Sequence, residues 1–138
     1  MLARINVKVN LMTESKATYF PKILSRNTSF YLLGWTPSTV DSHDPLYSLM
    51  ATPGAGGQGQ FNLGAYSNPK LDELTAKIQS ETDLAKRNAM IREAMKIHQD
   101  DVGHLPLHQQ ALAWGLKKNL TLVQLPSNDI FVKWMVLK

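Results

Sequence analysis

A tryptophan, four hydroxyl side chains and two carboxylates occur in the twelve residues that follow a short apolar run of the sequence. The run is residues 30–33 (Phe-Tyr-Leu-Leu), and residues 34–45, here called the Trp35 segment, come next. The candidate ligand-binding residues of the Trp35 segment are Trp35, Thr36, Ser38, Asp41 and Asp44. An aromatic face beside carboxylates suits a ligand with an apolar body and a positive charge. Binding residues favour loops on rigid elements, although a tryptophan that only covers a core is the alternative interpretation.

The other reactive or metal-binding side chains form no recognisable catalytic pattern. Three histidines, His98, His104 and His108, come closest to a metal-binding set, but Pro106 breaks the helical spacing that a zinc-binding helix needs. We expect them to be polar residues at a helix end and a strand start. The sequence has no Gly-x-Ser-x-Gly motif, and glycine-rich residues 52–60 lack the Gly-Lys-Ser/Thr of a phosphate-binding loop. We predict no enzymatic activity, no metal and no cofactor.

Length, composition and charge place the chain among ordinary globular proteins. Its 138 residues suffice for one domain with a core, and 43% of them are hydrophobic and 19% charged. No apolar run approaches the roughly 18 residues that a membrane span requires. The net charge of +4 is scattered, with Lys-Arg or Lys-Lys doublets only at residues 86–87 and 117–118. This pattern does not predict nucleic-acid binding, and the absence of cysteine excludes disulfide and thiolate chemistry.

The elements that would position the Trp35 segment follow from periodicity and from helix or turn signals. Val7, Val9 and Leu11 alternate with polar residues, which predicts a strand. The start of the chain lacks the apolar stretch and cleavage site of a signal peptide, and reads as a last helical turn that runs into this strand. The predicted elements are a strand over residues 6–12, a short helix over 16–24, a second strand over 29–35, a short helix over 45–50 and a flexible loop over 52–60.

Two helices after the glycine-rich loop have clear start signals. Asn68 precedes Pro69, which is the order expected of a cap and a first helical residue. Thr82 or Asp83 begins the second helix, and Gly103 is expected to end it. We predict that one face of each helix is core, formed by Leu71, Leu74, Ile78, Met90, Ile91, Ala94, Met95 and Ile97.

The last third of the chain is predicted to contain strands over residues 105–107, 111–116 and 130–137. Both faces of the final strand are apolar, with Phe131 and Met135 on one side and Val132 and Trp134 on the other. A strand with two apolar faces is expected to be buried on both faces, and an exposed strand of this kind can pair with another chain.

Three short motifs occur in a fixed order along the chain. Residues 66–74 read Tyr-Ser-Asn-Pro-Lys-Leu-Asp-Glu-Leu, residues 81–87 read Glu-Thr-Asp-Leu-Ala-Lys-Arg, and residues 105–107 read Leu-Pro-Leu. Together with the Gly-Trp pair at 34–35, they resemble the C-terminal part of the family-5 extracellular solute-binding proteins of peptide and nickel ABC transporters, the group that includes oligopeptide- and dipeptide-binding proteins. Each motif is weak alone, and the ordered set is more specific.

The resemblance implies an α/β fold that is part of the second lobe of a two-lobed periplasmic-binding-protein (type II) architecture, with a mixed sheet flanked by helices. It implies that residues 1–107 form the C-terminal part of lobe II and that residues 108–138 return toward a lobe I absent from this sequence. The longer parent would be periplasmic or an extracellular lipid-anchored protein. Its partners would be a peptide or similar small solute and the membrane permease subunits of the transporter.

The function implied is the substrate-binding component of an ABC transporter, whose two lobes close on the ligand by hinge motion. In peptide binders of this family, an aspartate three residues after the loop tryptophan pairs with the ligand's ammonium group. Ser38 occupies that position here, so we expect Asp41 to be the ammonium partner, Ser38 a neutral hydrogen-bonding group and Trp35 an apolar wall. Asp44 is expected to cap the short helix after it. The alternative is a self-associating structural or interaction module that binds no small molecule.

Overall fold

The computed structural model describes residues 2–37 and 39–138, and the chain divides into two compact units, one that ends at Leu33 and one that spans Gly34–Lys138. The regular elements are helix α1 (Lys16–Leu24), a short helix α2 (His43–Pro45) that continues as a π-helical turn (Leu46–Met50), helix α3 (Pro69–Ser80), helix α4 (Leu84–Asp100), and strands β1 (Leu120–Thr121) and β2 (Val136–Leu137). Three 3-10 turns lie at Leu2–Ile5, Ala55–Gly57 and Val132–Trp134.

Helix α1 organises the first unit and confirms the predicted short helix, and it contains Pro21 in its interior. The strands predicted over residues 6–12 and 29–35 are wrong, because these residues pair with no strand in the described part of the chain. For residues 29–35, the hydroxyl of Tyr19 gives part of the reason why no strand forms. It donates to the carbonyl of Leu32 at 2.6 Å and accepts from the backbone N–H of Leu32 at 3.1 Å, so it takes both groups that a neighbouring strand would use.

Helices α3 and α4 form the centre of the second unit, and both predicted starts are confirmed. Oδ1 of Asn68 accepts the N–H groups of Lys70 and Leu71 at 3.0 and 3.3 Å, which satisfies two donors that a helix start leaves free. Asp83 does the same for α4 at 2.9 and 3.0 Å. The caps therefore fix where each helix begins.

The hydrophobic core lies between the two helices and the π-helical turn. Four of its residues, Leu46, Leu74, Ile78 and Ala94, are buried, and partly buried apolar residues surround them. The surrounding residues are Met50, Met90, Ile91, Met95 and Ile97. The predicted apolar face of α4 is thus confirmed as core.

The end of α4 differs in one residue from the prediction. The N–H of Gly103 donates to the carbonyl of His98 at 3.1 Å, and that of Val102 donates to Gln99 at 3.0 Å, the bonds of a Schellman motif. The left-handed residue of the motif is Val102, with φ 53°, and not Gly103. Gly103 is required for a different reason, which is the close approach of its backbone to the ring of His98.

Internal hydrogen bonds shape the glycine-rich loop. The carboxylate of Asp72 in α3 accepts the N–H of Thr52 at 2.8 Å and its hydroxyl at 2.6 Å. Asn62, which is almost fully buried, donates to the carbonyls of Ala51 and Tyr66 and accepts the N–H of Tyr66. The start of the glycine-rich loop is therefore bonded to α3 through Thr52, and Asn62 connects the two ends of the loop region.

Most of the strands predicted after α4 are wrong. Residues 105–107 and 111–116 have no regular structure, and the 3-10 turn Val132–Trp134 interrupts the predicted strand over 130–137. Only its end, β2, pairs with β1, in antiparallel register Leu120↔Leu137 and Thr121↔Val136. A strand requires a neighbouring strand to pair with. Within the described residues, only Val136 and Leu137 of the predicted strand have such a partner.

The fold of the described residues is helix-rich with a small two-stranded sheet, which is compatible with an α/β class. Among the helices of the described chain, none has the length and apolar character needed to cross a membrane. The predicted boundary after residue 107 stays a prediction.

Candidate functional site

Trp35 contacts an aromatic residue from the chain that follows the glycine-rich loop. Its ring centroid lies 5.0 Å from that of Phe61, with the two planes tilted by 55°. Trp35 is half-buried, and its indole Nε1 is buried without a hydrogen-bond partner in the described structure. Thr36 is exposed, and Ser38 lies outside the described residues. An aromatic pair can contact an apolar group, and the buried indole N–H could reach a carbonyl oxygen only if the indole became uncovered.

Asp41 is engaged within the chain. Both of its carboxylate oxygens accept from Nη2 of Arg87, at 3.0 and 2.9 Å, and Oδ1 also accepts the backbone N–H of His43 at 2.8 Å. The pKa of Asp41 is held below its usual value, first by the hydrogen bond from the His43 backbone and then by Arg87. The carboxylate predicted to bind a ligand ammonium is therefore already paired with a cation.

The Arg87–Asp41 pair belongs to a larger connection between the Trp35 segment and α3. Nε of Arg87 donates to the carbonyl of Ile78 at 3.3 Å, and Nε2 of His43 donates to the carbonyl of Thr75 at 3.2 Å, since a carbonyl can only accept. The guanidinium lies near the C-terminal end of α3, where the helix dipole favours positive charge. Three side chains thus dock residues 41–43 on α3 and α4.

Asp44 lies inside the short helix, so the prediction that it caps this helix is wrong. Its Oδ1 accepts from the hydroxyl of Ser48 at 3.3 Å, one turn further on. The N-cap position is Ser42, which makes no side-chain capping bond, and Asp41 just before it accepts the N–H of the first helical residue, His43. The helix begins at His43, two residues before the predicted start at Pro45. A cap lies before the first helical residue, so Asp44 cannot be the cap.

A second polar cluster surrounds the end of α4. Nε2 of His98 lies 2.7 Å from Nδ1 of His104, and the rings of His98 and Tyr66 are nearly perpendicular, with 4.7 Å between centroids. The carboxylate of Asp101 accepts from the Tyr66 hydroxyl at 2.6 Å and from Nδ2 of Asn68 at 2.7 Å. Burial, followed by the Asp101 hydrogen bond, raises the pKa of Tyr66 to about 12, and the bonds from Tyr66 and Asn68 lower the pKa of Asp101.

The cluster is not a metal centre of three or more ligands. Across residues 2–37 and 39–138, no group of three or more histidine, cysteine, aspartate or glutamate side chains could hold a metal ion. His98 and His104 contact each other, whereas His108 is exposed. The position of His98 at a helix end was predicted, but its burial, with 4% of its surface exposed, was not.

Sequence reasoning missed two functional candidates, Arg87 and Phe61. Arg87 is separated from Asp41 by 46 positions, and Phe61 follows a glycine-rich loop. The one available signal was that Arg87 belongs to the motif of residues 81–87 without an assigned role. In the structure Arg87 is half-buried and pairs with Asp41, so its role is to hold the Trp35 segment.

Comparison with known proteins gives one curated relative. The chain is 27% identical over 122 residues to the oligopeptide-binding protein OppA of Bacillus subtilis (strain 168). The alignment covers 88% of this chain but 22% of OppA, so the chain spans less than a quarter of that relative's length. No family model matches the sequence, and no solved structure matches it. The similarity is low, and it is consistent with a fragment of a family-5 solute-binding protein.

Proposed function

We propose that this chain is part of the substrate-binding component of an ABC transporter for peptides or similar solutes. The observation that carries the proposal is the alignment of 88% of the chain with an oligopeptide-binding protein. The ordered motifs of the sequence point to the same family. On this proposal the chain belongs to the second lobe of a two-lobed binding protein, its parent acts outside the cytoplasmic membrane together with permease subunits, and it binds its ligand without changing it chemically.

The proposed ligand contacts centre on the aromatic pair of Trp35 and Phe61. Their rings, 5.0 Å apart at the centroids, offer an apolar surface. Nε1 of Trp35 is buried and unpartnered, so it would donate to a peptide carbonyl only after a movement that uncovers it. Thr36 is exposed beside this pair, and Ser38 is proposed as a neutral hydrogen-bonding group. A binding surface built from these groups recognises the backbone and apolar side chains of a peptide.

Asp41 is proposed to act on the ligand indirectly. Because Arg87 and the His43 N–H already engage its carboxylate, a ligand ammonium would have to compete with a cation at 2.9 Å. We therefore propose that Asp41 positions the Trp35 segment and that Asp44 supports the short helix through Ser48. Direct pairing of Asp41 with an ammonium group remains the competing assignment, and the two are distinguishable.

Nuclear magnetic resonance with a tripeptide tests the proposed function. Tri-alanine at millimolar concentration is expected to shift the indole N–H signal of Trp35 and the ring signals of Phe61, because half a site binds weakly. Trp114, whose indole N–H donates to Asn128 at 2.7 Å, is the internal control. Equal shifts at both tryptophans, or none at Trp35, would count against the site.

Two variants separate the roles of Asp41. In the positioning role, Asp41→Asn and Arg87→Gln weaken the tri-alanine response at Trp35 to the same extent, since either one breaks the same pair. In the direct role, Arg87→Gln releases the carboxylate and leaves the response intact or stronger, while Asp41→Asn alone reduces it. A capped tripeptide that lacks the ammonium group provides the matched ligand control.

Self-association is the second candidate function, and exposed apolar residues near the end of the chain favour it. Val132, Val136 and Leu137 expose 72%, 57% and 74% of their surface. Exposed apolar side chains, where they form a contiguous surface, often contact another protein. Light scattering over a dilution series tests this candidate, which requires a molecular mass above 15.5 kDa that falls on dilution.

A further inference from the structure

Two imidazole rings meet at the junction between α4 and the irregular chain after it. Nε2 of His98 and Nδ1 of His104 are 2.7 Å apart, and the ring centroids are separated by 4.9 Å with a tilt of 32°. A hydrogen bond between two rings needs one N–H and one lone pair. A doubly protonated imidazole has no lone pair, so two imidazolium ions cannot make this bond.

The backbone forces the two rings together. The Schellman bonds of Val102 and Gly103 turn the chain back across the end of α4. A Cβ atom on Gly103 would lie 2.7 Å from Nδ1 of His98 and nearer still to Cε1, so only glycine allows this approach. His104 follows directly and has its ring placed on that of His98.

The unpaired nitrogen of His98 indicates which tautomers are present. Nδ1 of His98 is buried and has no hydrogen-bond partner in the described structure. If His104 donated the shared proton, His98 would carry a buried N–H with no acceptor. If Nε2 of His98 donates, its Nδ1 is a bare lone pair, and orphaned buried acceptors are less costly than orphaned N–H groups. Both rings are therefore assigned the Nε2–H tautomer.

We propose that the His98–His104 hydrogen bond is an acid-sensitive latch. It holds residues 103–106 on the C-terminal end of α4 while at least one of the two rings is neutral, and it releases them when both are protonated. This inference is independent of the proposed transport function, since it concerns the junction after α4 and not the Trp35 segment.

The groups around the latch oppose the second proton. The described charges that act on His98 are those of His104, which disfavours the imidazolium, and of Asp101, which favours it weakly. The Asp101 carboxylate accepts hydrogen bonds from Tyr66 and Asn68, and Tyr66 presents an uncharged ring to His98. Burial first, then His104, lowers the pKa of His98 to about 4, and burial also lowers the pKa of His104. Release is therefore expected well below the ordinary histidine pKa of 6.5.

An acid titration followed by nuclear magnetic resonance tests the latch on the full 138-residue chain. As pH falls from about 7.5 to about 3, one unit below the His98 pKa of about 4, the backbone signals of residues 103–106 are expected to move to those of a released chain while the α3 signals stay in place. At neutral pH, nitrogen shifts of both rings are expected to report Nε2–H tautomers. Unchanged 103–106 signals at the acid end, or independent titration of both histidines near 6.5, would overturn the proposal.

Matched variants make the test specific. His104→Gln keeps a partner that can accept or donate but cannot be protonated, so the acid release is expected to disappear. His108→Gln changes an exposed histidine outside the pair and should leave the release unchanged. Gly103→Ala displaces the ring and should bring the His98 titration toward 6.5 and release the chain at neutral pH. Identical behaviour of the two glutamine variants contradicts the latch.

Discussion

The α3–α4 hairpin and the chain after it, residues 105–138, use apolar side chains in opposite ways. The hairpin buries Leu74, Ile78 and Ala94 against the π-helical turn, and its helices satisfy their own backbone groups. Residues 105–138 leave most apolar side chains exposed, and their backbone forms one two-residue pair of strands. A helix can be completed by local sequence, whereas a strand depends on a partner from elsewhere.

A core truncation should show the largest difference between these regions. Ile78→Ala is expected to lower the free energy of unfolding by about 2–5 kcal/mol, because Ile78 is fully buried and the change leaves a cavity. Urea denaturation measures the loss. Val132→Ala, at 72% exposure, is the matched control and should cost less than about 0.5 kcal/mol. Similar losses for the two variants would mean that residues 105–138 are packed in solution.

Acid should weaken the junction between the two regions. The pKa of His98 is lowered to about 4, so the unfolded chain, with its histidine pKa near 6.5, binds more protons than the folded one between these values. The stability due to this group is thus complete above 6.5 and falls as pH decreases toward 4, by up to about 1.4 kcal/mol per pH unit. Urea midpoints along a pH series measure this slope, and His98→Gln should flatten it.

The helix caps should contribute less than the core. Asp83→Ala removes the acceptor for the first N–H groups of α4 and is expected to cost about 1 kcal/mol. Thr82→Ala, one residue earlier and exposed, is the control and should be close to neutral. Thermal unfolding followed by circular dichroism compares the two. An equal loss in both would assign the effect to the loop and not to the cap.

The smallest effect is expected for the link between the Trp35 segment and the hairpin. In a double-mutant cycle of Asp41→Asn and Arg87→Gln, the coupling energy should be about 1 kcal/mol or less, since Asp41 is 40% exposed and solvent screens the pair. Glu73 and Lys77, an exposed pair on α3, form the comparison cycle. A coupling no larger than that of this pair would indicate that Arg87 does not fix the segment.

The sequence predicted what its local signals determine. The cap Asn68 was identified, and the start of α4 was narrowed to Thr82 or Asp83, because cap residues and the apolar period lie within a few residues of one another. The strands were not, because apolar alternation shows that a segment fits a sheet and not that a sheet is present.

The candidate site followed the same rule. Trp35 and Asp41 were selected from local residue types, but the partner that decides the role of Asp41 is 46 positions away. Nothing in the spacing of a single sequence connects Arg87 to that carboxylate. The proposed ligand role of the Trp35 segment therefore rests on the similarity to OppA, and the tri-alanine experiment tests it.

The contact of Tyr19 with Leu32 has a consequence for solubility. Residues 30–33 are an uncharged, β-prone run in which Phe30 and Leu32 are 74% and 65% exposed, the kind of segment that recruits identical segments into fibrils. The hydroxyl of Tyr19 occupies the backbone of Leu32 on both its donor and its acceptor side. A single phenol from helix α1 thus engages two backbone groups through which this run would otherwise pair with an identical segment.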